Sequence, residues 1–244
     1  MQCLIIAAGQ GSRLRSLAES KPLAPVAGTP LIEHVIRAAA RGGCDSFLVV
    51  TGYRAEPVEA FLAGLAGSLG LPIESVRNAS WERPNGLSVL AAADRLANEY
   101  VLLMSDHLFD PAIVRALIAR PAAPLTLAVD YRSDSPLIDL GDATKVAVAG
   151  DGRIARIGKT LEGWDAIDTG IFRAGPGLVE AIRESLERGG QGSLSEGVQQ
   201  LADEGLAETL DVSGSWWLDV DDPRALALAE EHFRRKTGKT RDSI

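Results

Sequence analysis

The feature that most restricts this chain is its start, where the apolar run Cys3-Leu-Ile-Ile-Ala-Ala8 breaks at Gly9 and Gly11. An unbroken apolar run of this length reads as a strand buried on both faces, the kind found inside a parallel sheet. Glycine reaches backbone angles closed to other residues, so the turn after the strand can aim successive N–H groups into one concavity suited to an anion. Arg13, Arg15 and Lys21 then add three positive charges within a few residues. The combination describes a cradle for a polyphosphate. It differs from two better-known loops. The dinucleotide fingerprint needs a third glycine where Leu14 stands, and the P-loop needs Gly-Lys-Ser/Thr after a four-residue spacer. Without the cations, Gly-x-Gly after a strand would be an ordinary turn.

Downstream, apolar strand patterns alternate with helical ones, which argues for an α/β fold with a mostly parallel, mixed sheet flanked by helices. The patterns predict strands at 3–8, 46–51, 73–76, 100–104 and 125–131. A hairpin over 145–157 follows, then strands at 166–172, 208–212 and 216–220. Helices are expected at 30–39, with Thr29 as its cap, and at 56–65, 86–96, 111–119, 177–187, 194–202 and 223–235. A single domain over 1–235 results, with a nucleotide-binding half (1–120), an acceptor half (121–235) and a flexible tail (236–244). A net charge of −8 argues against non-specific nucleic-acid binding, so the cations near the start are a local exception. Cys3 and Cys44 have no zinc-like spacing and read as reduced thiols of a cytoplasmic protein. No leader or membrane span is expected, because the longest charge-free stretch (60–73) is short and glycine-rich.

Two groups of carboxylates stand out. Asp106 follows the apolar run at 101–104, at the carboxyl end of a strand where open α/β sheets bind ligands. A cap or a metal ligand would suit that place, and Asp110 before Pro111 is the better cap. The second group is Trp216-Trp-Leu-Asp219-Val-Asp221-Asp222-Pro223, in which Asp222 suits a helix cap and Asp219 either a metal or a partner for Arg13 or Lys21. Asn85, Gly86 and Ser88 open a helix, where they either read a base edge or form an ordinary turn. Asp168 and Thr169 end a strand and suit the hydroxyl groups of a polyol. Glu196 could join them or simply complete the capping pair Ser193-x-x-Glu196.

Leu4-Ile-Ile-Ala-Ala-Gly-Gln-Gly-Ser-Arg13 with Lys21-Pro-Leu23 resembles the signature loop of nucleotidyltransferases that attach a nucleotide to a sugar phosphate or similar phosphorylated alcohol. With Val50-Thr-Gly-Tyr53, Asn85-Gly-Leu-Ser88, Met104-Ser-Asp-His107, Ala143-Thr-Lys145, Ile157-Gly-Lys159, Trp164-Asp-Ala-Ile-Asp168-Thr-Gly170 and Ser193-Leu-Ser-Glu196, the resemblance narrows to the CTP:inositol-1-phosphate cytidylyltransferases. It implies a Rossmann-like fold and a Mg²⁺-dependent transfer of CMP from CTP to a phosphorylated acceptor, releasing pyrophosphate. Ala7, Ala8, Gly9, Gly11, Ser12 and Arg13, with Asn85, Gly86, Ser88, Ser105 and Asp106, would bind the nucleotide. Arg13 and Lys21 would be catalytic. Asp106 and Asp219 would hold Mg²⁺, and Asp221, where many members have glycine, could share it. Lys145 or Lys159 would take the acceptor phosphate, unless they are solvated hairpin lysines, and Asp168, Thr169 and Glu196 the hydroxyl groups. An ionised phosphate nucleophile needs no base, so His107 is expected to be satisfied or in contact with substrate. Ser20 departs from the proline many members carry there.

Relatives of this kind are often fused to a membrane phospholipid synthase, which implies a role in phospholipid-precursor synthesis. This chain is expected to be a stand-alone version without nucleic-acid or membrane partners, and a homodimer is left open. Phosphocholine, 2-aminoethylphosphonate or a sugar 1-phosphate remain rival acceptors. A cationic amine would want a cage such as Trp164, Asp165, Trp216 and Trp217. A non-catalytic nucleotide-binding module would be expected to lack the lysine or an aspartate, and all are present.

Overall fold

The first strand, β1 (Gln2–Ala7), is buried on both faces, as its composition requires. Cys3, Ile5 and Ala7 enter one core layer, while Leu4 and Ile6 enter the other. A computed structural model describes residues 1–14, 19–132 and 134–241, without the side chains of Ser12 and 237–241. After a small hairpin, β2 (Pro25–Val26) with β3 (Thr29–Pro30), α1 (Leu31–Gly42) leads to β4 (Ser46–Thr51), which lies parallel to β1. Helix α2 (Ala55–Leu69) then returns to β5 (Ile73–Arg77), parallel to β4. On the other side of β1, α3 (Gly86–Ala92) precedes β6 (Tyr100–Met104), also parallel.

The second half adds the antiparallel part of the sheet. Strand β7 (His107–Phe109) and α4 (Pro111–Ala119) lead to β8 (Leu125–Asp130), and the hairpin strands β9 (Lys145–Val148) and β10 (Ile154–Gly158) follow. The long β11 (Ala166–Ala174) runs antiparallel to β6 along Ile171–Ala174 and to β9 along Ala166–Ile167, with β8 on its other edge. A bulge between Asp168 and Phe172 separates these stretches. Helices α5 (Pro176–Glu187) and α6 (Leu194–Asp203) precede β12 (Ala207–Asp211), which extends the sheet beside β8. The chain closes with β13 (Trp217–Asp219) and α7 (Pro223–Arg241).

Helices cover both faces. Val35 and Ile36 of α1, Val58 and Leu62 of α2, Ile113 and Leu117 of α4 and Ala229 of α7 fill one layer. Val89 of α3, Leu178 and Ile182 of α5, and Val198 and Leu201 of α6 fill the other. Among the described residues, no helix is long and apolar enough to cross a membrane.

Most predicted elements form within a few residues of their expected bounds, with differences of four kinds. Thr29 does not cap α1, because it pairs in the β2–β3 hairpin and Pro30, at φ −57° and ψ 142°, is the extended residue before the helix. The helix expected over 86–96 tightens to a 3₁₀ turn after Ala92. Helix α7 runs through Arg241, into the stretch expected to be a tail. Strands β2, β3 and β7 are not among the expected elements: two or three residues are too short to show a period.

Candidate active site

The glycine loop after β1 and Asp106 after β6 both lie at the carboxyl edge of the parallel strands. The loop after β1 turns at Gly11, whose φ of +56° is left-handed and suits glycine. A second reason for glycine is contact, since a Cβ there would sit 2.3 Å from Lys21 Cβ. The loop is thus laid directly on the lysine. Lys21 opens a 3₁₀ turn with Pro22 and is 7% exposed. Its ammonium donates to Asp106 Oδ2 at 2.5 Å and to Asp221 Oδ1. Burial alone would lower the lysine pKa, but the charges of Asp106, Asp221 and Asp219 more than offset it and hold Lys21 above its ordinary value. Arg15 lies outside the described residues.

Asp106 and Asp219 come together through strand pairing. The Ser105 N–H donates to the Ile6 carbonyl, extending the β1–β6 ladder by one step before the chain turns at Asp106. Strand β7 then pairs antiparallel with β13, setting His107 opposite Asp219, and the Val220 N–H donates to the Asp106 carbonyl. One ligand atom from each of Asp106, His107 and Asp219 falls within a 4.8 Å cluster. Among the described residues, Asp219 Oδ1 and His107 Nδ1 are buried there without hydrogen-bond partners. An unpaired buried carboxylate oxygen beside a second carboxylate is the setting a hard divalent cation fits. Burial would raise the Asp106 pKa, yet Lys21 and then His107 draw it down to about 2. Burial would lower that of His107, while Asp219, and behind it Asp106, raise it to about 9.

Asp221 takes a different part from the one expected. Its oxygens accept from Lys21 and, at 2.5 Å, from Arg13, and it stands outside the metal-competent cluster. Burial and the neighbouring Asp219 charge raise its pKa against the pull of Lys21. The alternative considered for Asp219, a partner for Arg13 or Lys21, is therefore filled by Asp221, while Asp219 makes no ion pair with either cation among the described residues. Arg13, half exposed, also bonds Asp142 at 2.6 Å.

Beside this cluster opens a cavity of about 220 Å³, lined on its polar side by Asn85, Asp142, Lys159, Asp168, Asp219 and Asp221. Asp168 sits in the β11 bulge, where its Oδ1 accepts from the Gly170 N–H at 2.7 Å. Burial raises its pKa to about 6, opposed by that hydrogen bond and by His107. Lys159 Nζ reaches Asp142 Oδ1 at 2.5 Å.

Several residues expected in the site are occupied elsewhere. Lys145 ties the hairpin by donating to the carbonyls of Ala143 and Lys159. Thr169 is fully buried and gives its hydroxyl proton to the Ala128 carbonyl. Glu196 forms the capping box with Ser193 and also accepts from Ser185 and the Gly192 N–H, so the local reading of that motif is the one realised. Ser88 is buried and accepts from Asn78, and Gly86 packs so closely that a Cβ would lie 2.4 Å from the Gly192 carbonyl oxygen. Asn85 reaches the cavity while its Oδ1 accepts from the Leu194 N–H. Ala7 and Ala8 are buried, Gly9 is open to solvent, and the Ser12 side chain is outside the described part.

The tryptophan cage does not assemble at this cavity, which Trp217 lines without Trp164, Asp165 or Trp216. Trp217 donates to Asp130 at 2.7 Å, Trp216 stacks on His232 at 3.7 Å, and Asp165 accepts from the Val148 N–H. Asp142 is the participant that sequence reasoning missed. A lone aspartate at the end of a loop carries no signal until the fold sets it between Arg13 and Lys159.

A glycine loop resting on a buried lysine, with two aspartates brought to its side at the edge of a parallel sheet, is the architecture of a nucleotidyltransferase. The comparisons agree, and the chain belongs to the family of the MobA-like NTP transferase domain, which matches residues 3–163. It is 38% identical to the "Bifunctional IPC transferase and DIPP synthase" of Rubrobacter xylanophilus over 93% of this chain and 50% of that protein. It is 32% identical to the protein of the same description from Aquifex aeolicus, over 94% of this chain and 51% of that one. The chain thus spans about half the length of these relatives. Among solved structures, the inositol-1-phosphate CTP transferase from T. maritima superposes with a TM-score of 0.83 at 26% identity, covering 94% of this chain and 93% of that one.

Proposed function

We propose that this protein is a cytidylyltransferase that moves CMP from CTP to inositol 1-phosphate and releases pyrophosphate, a step in phospholipid-precursor synthesis. The observation that carries the proposal is the meeting of Lys21, Asp106 and Asp219 beneath the glycine loop. The likeness to proteins described as IPC transferases and as an inositol-1-phosphate CTP transferase supports the choice of both substrates.

Mg²⁺, held by Asp106 and Asp219, would supply Lewis-acid polarisation of phosphoryl oxygens. The protein's own share is positioning and charge neutralisation rather than covalent chemistry. Backbone N–H groups of the loop around Gly9–Gly11 cradle the triphosphate of CTP. Lys21, kept charged by its aspartates, balances the phosphoryl group under attack, and Arg13 balances the departing pyrophosphate. An oxygen of the acceptor phosphate attacks in line, oriented by Lys159, while Asp168 holds hydroxyl groups of the acceptor ring. That oxygen is already ionised, so no general base is required. In this reading residues 1–120 serve the nucleotide and 121–235 the acceptor, and the CTP pool makes the cytoplasm the proposed site of action. The unassembled tryptophan cage weighs against a cationic amine acceptor.

Pyrophosphate release from CTP, UTP, ATP and GTP should be measured with inositol 1-phosphate, phosphocholine, 2-aminoethylphosphonate and glucose 1-phosphate. CTP with inositol 1-phosphate is expected to give the highest kcat/KM. A higher value for another acceptor would reassign the substrate, and no release with any pair would remove the transferase reading.

A further inference from the structure

His107 is the residue of the cluster that the transfer chemistry leaves without a task. Its imidazole lies between the two carboxylates, with Nδ1 3.7 Å from Asp106 Oδ1 and Nε2 3.5 Å from Asp219 Oδ2. Among the described residues no other cationic or imidazole side chain comes within ion-pair distance of Asp219. The ring has little room to move. Trp217 stands edge-on to it, with centroids 6.2 Å apart. On another side lies Gly170, in the β11 bulge at φ +71°, where a Cβ would fall 2.4 Å from Nδ1 and 2.6 Å from Cε1. That contact calls for a residue with no side chain. Neighbouring carboxylates repel, and a ring held against an oxygen of each fixes one separation for the pair. Side chains that hold a metal's ligands in place set ligand orientation, and removing them typically changes affinity by ~10–100-fold.

We propose that His107 is a positioning residue: seated on the bare backbone of β11 at Gly170, it sets the spacing of the Asp106 and Asp219 carboxylates and thereby the affinity of the site for its divalent ion. The proposal rests on the reading that these two aspartates hold the ion, and it is independent of the acceptor's identity.

The test is Mn²⁺ binding, followed by electron paramagnetic resonance with and without CTP, in the wild type, His107→Ala, His107→Asn and Gly170→Ala. His107→Ala and Gly170→Ala are each expected to weaken Mn²⁺ by at least ~10-fold. His107→Asn, which keeps a polar atom near the Nδ1 position, should fall between them and the wild type. In steady state the KM for metal should rise by the same factor, with kcat at saturating metal largely restored. Far-UV circular dichroism checks folding, and His107→Asn with Gly170→Ala carries the test should His107→Ala not fold. Wild-type Mn²⁺ affinity in the folded variants would overturn the proposal. So would a kcat that stays low at saturating metal, because His107 would then act on the reaction itself. Failure of the wild type to bind Mn²⁺ would instead sink the metal-site reading beneath it.

Discussion

Lys21 shows how a single charge can be buried and kept. An ammonium at 7% exposure would ordinarily shed its proton, but the surrounding aspartates hold the charge beneath the glycine loop, where the proposed reaction calls for a phosphoryl group to be stabilised. Removing one such electrostatic donor typically costs on the order of 10²–10³ in turnover. Lys21→Ala is therefore expected to lower kcat by at least about two orders of magnitude. Loss of the lysine also removes the cation that Asp106 and Asp221 share, so its melting temperature should be recorded beside the rate. Asp168 presents the opposite case, a carboxyl that burial pushes up to about 6 from 3.8. Because the folded state favours the neutral acid, its contribution to stability is present below the unfolded pKa and is lost as pH rises through the folded one. Asp168→Asn should consequently raise the melting temperature near about pH 7.5 and change it little near about pH 4. Equal effects at the two values would mean that the acid does not titrate as this environment requires. Lys21 and Asp168 were legible as residue types, and their opposite electrostatic states were not, since those depend on neighbours distant in sequence.

At the scale of elements, the glycine loop and the β7–β13 ribbon do the assembling. The loop was readable because its demands are local: a strand that must be buried, a turn that must take unusual angles, and charge beside it. Contact with Lys21 adds a demand the sequence does not display. Gly11→Ala meets both a left-handed φ and the lysine stem, so the loop or the lysine has to move. Backbone strain of this kind costs roughly 1–3 kcal/mol. Gly11→Ala is expected to lower stability by about that amount, measured by urea unfolding, and to reduce kcat/KM for CTP; wild-type values of both would show that the close packing is not required. Helix caps divide along the same line. Asp110 and the Ser193–Glu196 pair were legible because a cap involves residues a few positions apart. Thr29 failed as a cap because a neighbouring strand claimed its backbone. The ribbon was invisible because three-residue strands are defined by their partner rather than by their pattern.

Across the whole molecule, the nine-stranded sheet ends β6 just before Asp106, and the separate two-stranded β7–β13 ribbon brings Asp219 to it from the far half of the chain, so the proposed metal site joins residues distant in sequence. Chelation of divalent ions should abolish pyrophosphate release, and added Mg²⁺ should restore it. Asp219→Asn should raise the Mg²⁺ concentration needed for half-maximal rate by at least ~10-fold, and activity that survives chelation would disconnect the pair from catalysis. The sequence by itself determined the α/β alternation, the buried first strand, the glycine turn with its neighbouring cations and the two aspartate-bearing strand ends. Each follows from periodicity, glycine chemistry or charge within a few neighbouring residues. Only the tertiary structure decided that Asp221 pairs with the cations while Asp219 is left with a bare oxygen, that Thr169 and Glu196 serve the scaffold, and that Asp142 bridges Arg13 and Lys159. Those assignments depend on which side chains the packing brings within reach of a shared charge, and that distance, between residues far apart in sequence, no local pattern displays.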